Sequence, residues 1–173
     1  MKSRLIVAIA AVFAMLVGAM EVQAAGAQSP LGFKVFCLKN PSECKAGSKS
    51  SVPMTDSTMQ TLKRVNLSVN NAIRPKNDNR GKDVWTLNAS SGDCEDYVIT
   101  KRSRLIKMGL PPGALRIAYA KTRSGEGHAI LIVKTSQGDF VLDNRTNAVK
   151  LKAQAGLRII SISGANPKSW TGA

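Results

Sequence analysis

The hydrophobic period of the chain changes once, at "GLPPG", Gly109 to Gly113. Upstream, apolar residues recur at helical spacing; downstream they alternate or run together, as strands do. Helices first and antiparallel strands afterwards define an α+β domain with N-terminal helices packed on a sheet. In the first half, Leu62, Val65, Val69 and Ile73 share one helical face. Ser57 and Gln60 have capping-box spacing at its start, and Pro75 ends it. A second helix opens at Gly92-Asp93 with Asp93 as N-cap, and Tyr97, Val98, Leu105 and Met108 make its inner face. Lys101, Arg102, Arg104 and Lys107 crowd its C-terminal half before Gly109, Pro111 and Pro112 stop it. In the second half, "ALRIAYA" puts Leu115, Ile117 and Tyr119 on one face. "HAILIV" and "FVLDN" form a hairpin across "TSQGD", and "LRIISIS" is a last strand. Residues 25–52 read as irregular and residues 74–92 as a polar loop in which Trp85 stands alone.

The chain opens with Lys2 and Arg4, an apolar run from Leu5 to Met20, and the small residues of "EVQAAGAQ". That order is a secretory signal peptide, with the cut placed after Ala24 and Ala27 as a second candidate. Residues 25–173 then make one domain, with no membrane span once the signal is removed. Its surroundings are periplasmic or extracellular. The formal net charge of the full chain is +14. Such a balance serves solubility or favours acidic partners. No nucleic-acid motif is present and few aromatics interleave the basic residues, so nucleic acid is not among the expected partners.

Cysteine usage narrows the chemistry. Cys37 and Cys44 are separated by six residues, and in an oxidising compartment such a pair reads as a disulfide. Cys94 is left odd, in "SSGDCEDYV". Zinc does not fit, since there is no C-x-x-C and His128 is the one histidine. Cys94 falls in the first turn of its helix, where unpaired N–H groups and the helix dipole favour a thiolate. A nucleophilic cysteine needs a base, and His128 sits in "GEGHAI" at the mouth of an apolar strand; a satisfied core or surface histidine is the plainer alternative. The base needs an orienting group. If Val133 faces Phe140, Asp143 lies within diagonal reach of His128 on the same sheet face. If Gln137-Gly138 is the turn instead, it lies further away, as a turn residue would. Asp93, Glu95 and Asp96 oppose ionisation of the thiol they surround. Helix capping explains them in part; a bound Ca²⁺, taking hard oxygen ligands, would neutralise them. No organic cofactor is expected.

"GDCEDYVITKRSRLIKMGLPPGALRIAYA", "GEGHAILIV" and "GDFVLDN" together resemble the bacterial transglutaminase-like cysteine proteinases, a group within the papain-like superfamily. The resemblance runs from about Phe33 to Trp170. It implies a papain-like or transglutaminase-like fold and a Cys94–His128–Asp143 triad. It also implies calcium ligands at Asp93 and Glu95, with Asp96 a further candidate, and Trp85 lining the cleft near the oxyanion. The implied activity is that of an exported thiol endopeptidase acting through an acyl-enzyme on a cell-surface or periplasmic protein or peptide, with an envelope regulator as a further partner. Two other readings stand beside it. One is a transglutaminase or amidase acting on peptidoglycan peptides. The other is a non-catalytic, calcium-responsive binding module.

Overall fold

The computed structural model of the chain describes residues 26–79 and 81–173; the signal peptide read over residues 1–24 lies outside them. Residues 25–52 are not irregular throughout, as the hydrophobic pattern suggested. They contain α1 (Leu31–Lys39) and a single 3-10 turn (Pro41–Cys44). Phe33, Phe36 and Cys37 are its buried side chains besides Gly32, too few to register as a period over a window. A disulfide joins Cys37 to Cys44, with the Cα atoms 5.6 Å apart. It ties the 3-10 turn back onto α1.

α2 (Asp56–Ala72) starts from Thr55, whose side chain accepts the Thr58 N–H at 3.1 Å. The cap therefore falls two residues before the expected Ser57. Leu62, Val65 and Val69 are buried along α2, and Ile73 just beyond it. Two short strands, β1 (Arg74–Pro75) and β2 (Ser91–Gly92), pair in parallel and pin both ends of the loop between them. α3 (Cys94–Lys107) follows directly. Tyr97, Val98 and Leu105 are buried as expected, but Met108 is 45% exposed. Lys101 and Arg102 are buried instead. Positive φ at Gly109 lets the chain leave the helix.

The remaining strands form one six-stranded sheet. They are β3 (Leu115–Lys121), β4 (Gly127–Thr135), β5 (Gly138–Leu142), β6 (Lys150–Leu151), β7 (Arg158–Ser163) and β8 (Trp170–Gly172). Their order is β6-β5-β4-β3-β7-β8, and every neighbouring pair is antiparallel. Val133 pairs with Phe140, so Ser136-Gln137 is the turn and the first of the two registers holds. One sheet face, with Leu115, Ile117, Leu131, Val133 and Leu142, joins Phe33, Val65, Tyr97 and Leu105 in the main core. The other face carries a small cluster of Ala118, Ile130, Ile132 and Val141, covered by Ala155, Leu157, Ile159 and Ile162. The result is the α+β layering read from sequence: helices on one side of an antiparallel sheet.

Candidate active site

The start of α3 is built by its own acids. Asp93 and Asp96 form a capping box. The Asp93 N–H donates to Asp96 Oδ2 at 3.2 Å, and the Thr86 N–H to Asp96 Oδ1 at 2.6 Å. Gly92 makes this turn feasible, since a Cβ there would lie 1.9 Å from Asp96 Oδ2. Asp96 is thus a buried strut between the loop and the helix, and both its oxygens are engaged.

Cys94 is half-buried and free. Its Sγ donates to Glu95 Oε2 at 2.9 Å and accepts the Ala129 N–H at 3.3 Å. The second contact places the sulfur against the peptide link that follows His128. Burial pushes the thiol's pKa up; the adjoining Glu95 carboxylate and then Asp93 push it further, while the Ala129 N–H works against them. In this resting arrangement the proton stays on sulfur. Glu95 itself is raised to about 7 by burial and the neighbouring Asp93, against the bond from Cys94. Asp96 is raised to about 6 by burial and Asp93, against the Thr86 N–H.

His128 and Asp143 come together from neighbouring strands. His128 lies near the start of β4 and Asp143 follows β5, and extending the pairing of Leu131 with Leu142 sets Asp143 beside Ile130. The His128 Nε2 is 2.8 Å from Asp143 Oδ1, and both residues are buried. Asp143 Oδ1 also accepts the Arg145 N–H at 2.9 Å. Burial would raise this carboxyl, but the bonds from His128 and Arg145 outweigh it and hold it below the usual carboxylate range. An ionised Asp143 at Nε2 leaves Nδ1 as the ring nitrogen free to exchange a proton.

Two contributions were not foreseen. Asn70 of α2 donates to the Asp143 carbonyl at 3.2 Å, the Thr146 carbonyl at 3.1 Å and Asn147 Oδ1 at 2.9 Å. Asn66 donates to the same Thr146 carbonyl at 3.0 Å. These amides hold the segment that carries Asp143. Polar residues four apart beside the apolar face of α2 were the available signal. The other is Lys101, wholly buried with no hydrogen-bond partner at Nζ among the described residues, 5.8 Å from the Tyr97 ring centre. Burial lowers it to about 7, opposed by the Asp143 charge.

Trp85 lines a cavity of about 290 Å³ together with Asp83, Asp93, Glu95, Tyr119 and Ala129. Its indole N–H donates to Asp83 Oδ1 at 2.6 Å, and its ring packs on Phe33. It is therefore a wall of the cavity, and its N–H is committed to Asp83 rather than left for an oxyanion. The expected calcium ligands fit in kind, being hard carboxylate oxygens, and fall short in number. Among the described residues no group of three or more His, Cys, Asp or Glu is arranged to hold a metal. With Asp96 engaged by backbone, Asp93 and Glu95 are the pair that shares the cavity.

A cysteine at a helix start, packed against the strand that carries a buried histidine bonded to an aspartate from the neighbouring strand's end, on an α+β frame, is the architecture of a papain-like thiol enzyme. The chain belongs to the bacterial transglutaminase-like cysteine proteinases (BTLCP), whose family model matches residues 23–172. Among solved structures it is similar to calcium-bound LapG of Legionella pneumophila, with 24% identity, TM-score 0.57, 62% of this chain and 66% of that chain. EGTA-treated LapG matches with 24% identity and TM-score 0.57 over 67% of each chain. A further LapG structure matches with 26% identity, TM-score 0.55, 62% of this chain and 64% of that chain. A comparison with curated proteins finds no match.

Proposed function

We propose that this protein is an exported thiol endopeptidase in which Cys94 attacks, His128 moves the proton and Asp143 orients the ring. The observation that carries the reading is the buried His128–Asp143 bond, one residue from the N–H that contacts the Cys94 sulfur. His128 Nδ1 takes the thiol proton, and the thiolate adds to the scissile carbonyl. The C–N bond breaks as the imidazolium returns that proton to the departing amine. Water then cleaves the thioester, with His128 as its base. N–H groups at the start of α3 are the available donors for the oxyanion.

Residues 1–24 act in this proposal as a cleaved export signal and residues 25–173 as the working domain. The Cys37–Cys44 disulfide supports export, since such bonds persist in oxidising compartments. Among the described residues no helix is long and apolar enough to cross a membrane. Asp93 and Glu95 would hold calcium, with the remaining ligands drawn from carbonyls and water. When bound, the ion supplies positive charge beside the thiol. The calcium-bound form of LapG supports this part of the reading. Calcium should raise the melting temperature of the purified protein, EGTA should reverse the rise, and Asp93→Ala should remove the response. Melting curves unaffected by either reagent would leave the acids as helix caps alone.

The decisive experiment incubates the protein with a proteome-derived peptide library, quenches in acid and maps adducts by mass spectrometry. Thioesters on Cys94 and new peptide termini, both absent from Cys94→Ala, are the expected result. In a parallel incubation with added methylamine, methylamide products in place of hydrolysed ones would make it a transglutaminase. An unmodified Cys94 with no cleavage would make it a binding module.

A further inference from the structure

Beyond the helix side of the site, the structure contains a second feature the reaction does not use. Two adjoining depressions, of about 470 and about 530 Å³, share Arg123, Gly156 and Leu157 and form one groove. Asp143 lines one end of it. Its rim carries Lys121, Arg123, Arg145, Lys150, Lys152 and Arg158. Those are six of sixteen lining residues, against 25 Lys and Arg in 173 for the whole chain, so the charge is concentrated here rather than spread for solubility.

Five of the six cations have no salt bridge among the described residues. Among the described residues Asp143 is the one carboxylate in the lining, and it is engaged by His128 and the Arg145 N–H. Among the described residues, Lys152 is the single member of the six with a salt bridge, to Asp139 at 3.3 Å. Glu126 lies in the same turn as Arg123, but Ser124 Oγ donates to it at 3.1 Å and it does not line the groove. Gly156 leaves room for the Arg123 side chain, since φ there is +67° and a Cβ would approach Arg123 Nε to 3.1 Å. The floor includes the apolar Leu157 and Ile159, which also cover the second face of the sheet. An extended chain with acidic side chains matches such a groove: carboxylates reach the rim and the backbone runs over the floor.

We propose that this groove is a substrate subsite that binds an acidic segment of the polypeptide flanking the scissile bond. The inference rests on the peptidase reading for what the bound chain is, but binding itself needs no turnover. Free carboxylates attract multiple surface cations through a field that salt weakens.

The test uses Cys94→Ala protein and two fluorescein-labelled octapeptides, one with four Glu among alanines and one with four Lys. Fluorescence anisotropy should show the Glu peptide bound at least about tenfold more tightly, the size of effect complementary charge produces. Arg123→Glu with Lys150→Glu should remove the preference; both residues are exposed and neither is in the His128–Asp143 pair. Lys63→Glu with Arg64→Glu, the same charge change on the exposed side of α2, should leave it intact. Equal loss in both double variants would reduce the effect to net charge and overturn the subsite. Heparin binding that outcompetes the Glu peptide and ignores the groove variants would also overturn it, in favour of a general polyanion surface. With active protein, the peptide library should show Asp and Glu enriched on one side of cleaved bonds, an enrichment the groove variant loses through KM rather than kcat. Binding without any cleavage would sink the peptidase reading and leave the groove standing; cleavage without acidic preference would do the reverse.

Discussion

On the α3 side of the site, Asp83, Asp93 and Glu95 share a cavity with Trp85; on the sheet side, Arg123, Arg145 and Lys150 line a groove that begins at Asp143. The two sides are built differently. The acids next to the thiol come from one turn of chain: Asp93 and Asp96 are fixed by capping bonds to backbone N–H groups, and Glu95 accepts from the Cys94 Sγ itself. The cations come from four separate places between residues 121 and 158, brought together by the β3–β4 turn, the segment after β5, β6 and the start of β7. The cavity holds Asp93 and Glu95, the neighbours of Cys94, whereas the groove meets the site at Asp143; on the proposed reading a bound chain has a direction, since reversing it would set its acidic segment against Asp93 and Glu95. The two kinds of carboxylate also have different roles. Glu95 adds to burial in raising the Cys94 thiol, whereas Asp143, itself held below the usual carboxylate range by His128 and Arg145, bonds the Nε2 of His128.

The largest effect expected from that contrast is at Asp143. Asp143→Asn keeps the size of the side chain, so its melting temperature should stay close to that of the parent. Turnover of library peptides should fall ~10²-fold or more, because the amide no longer fixes the tautomer or offsets the imidazolium charge. Normal turnover in a normally folded variant would make Asp143 a turn residue, and Asn144 beside it would be examined as the third member of the site.

Removing the charge on the other side should act in the opposite direction and more modestly. In EGTA, Glu95→Gln should speed alkylation of Cys94 near neutral pH about tenfold, the size of a one-unit fall in the thiol pKa. Burial of the sulfur remains, so the thiol should not become fully ionised. Iodoacetamide labelling followed by intact mass measures it, and an unchanged rate would show that burial alone sets the thiol.

This division also explains what could be read from the sequence. Cys94, His128 and Asp143 were legible because each is announced locally: a thiol after a helix cap, a histidine opening an apolar strand, and an aspartate placed by hairpin register. Val133 opposite Phe140 is the pairing that brings the last two together. The disulfide followed from the close spacing of Cys37 and Cys44. α1 was not legible, since three apolar side chains make no period. Trp85 was found, but its N–H partner Asp83 depends on how the loop folds back. The groove was hidden for the same reason. Lys121, Arg145 and Arg158 look like scattered solvent charges until the sheet order sets them side by side. Burial of Lys101 and Arg102 was equally hidden, because a basic run near a helix C-terminus normally faces water, and only the packing of α3 between α2 and the sheet covers it.

Lys101 gives the smallest effect, one that tests how far the positive character of the sheet side reaches inward. Among the described residues it is wholly buried with no partner at Nζ, and the opposite charge acting on it is Asp143, already engaged by His128. Burial lowers its pKa to about 7 in the folded protein, from about 10.4 in an unfolded chain. Between those values the unfolded chain binds more protons than the folded one. On this group's account stability therefore rises as the pH climbs from about 7 to 10, and below pH 7 the folded protein carries the full cost of the buried charge. Lys101→Met keeps the length of the side chain and removes that cost. It should be more stable than the parent by ~1–2 kcal/mol at pH 6, with the advantage fading toward pH 10; a trapped water on Nζ would account for the modest size. Urea unfolding at both pH values measures it. A variant less stable than its parent at pH 6 would mean that Lys101 has a partner worth more than its burial costs, and Asp143, the one carboxylate that opposes its shift, would be that partner.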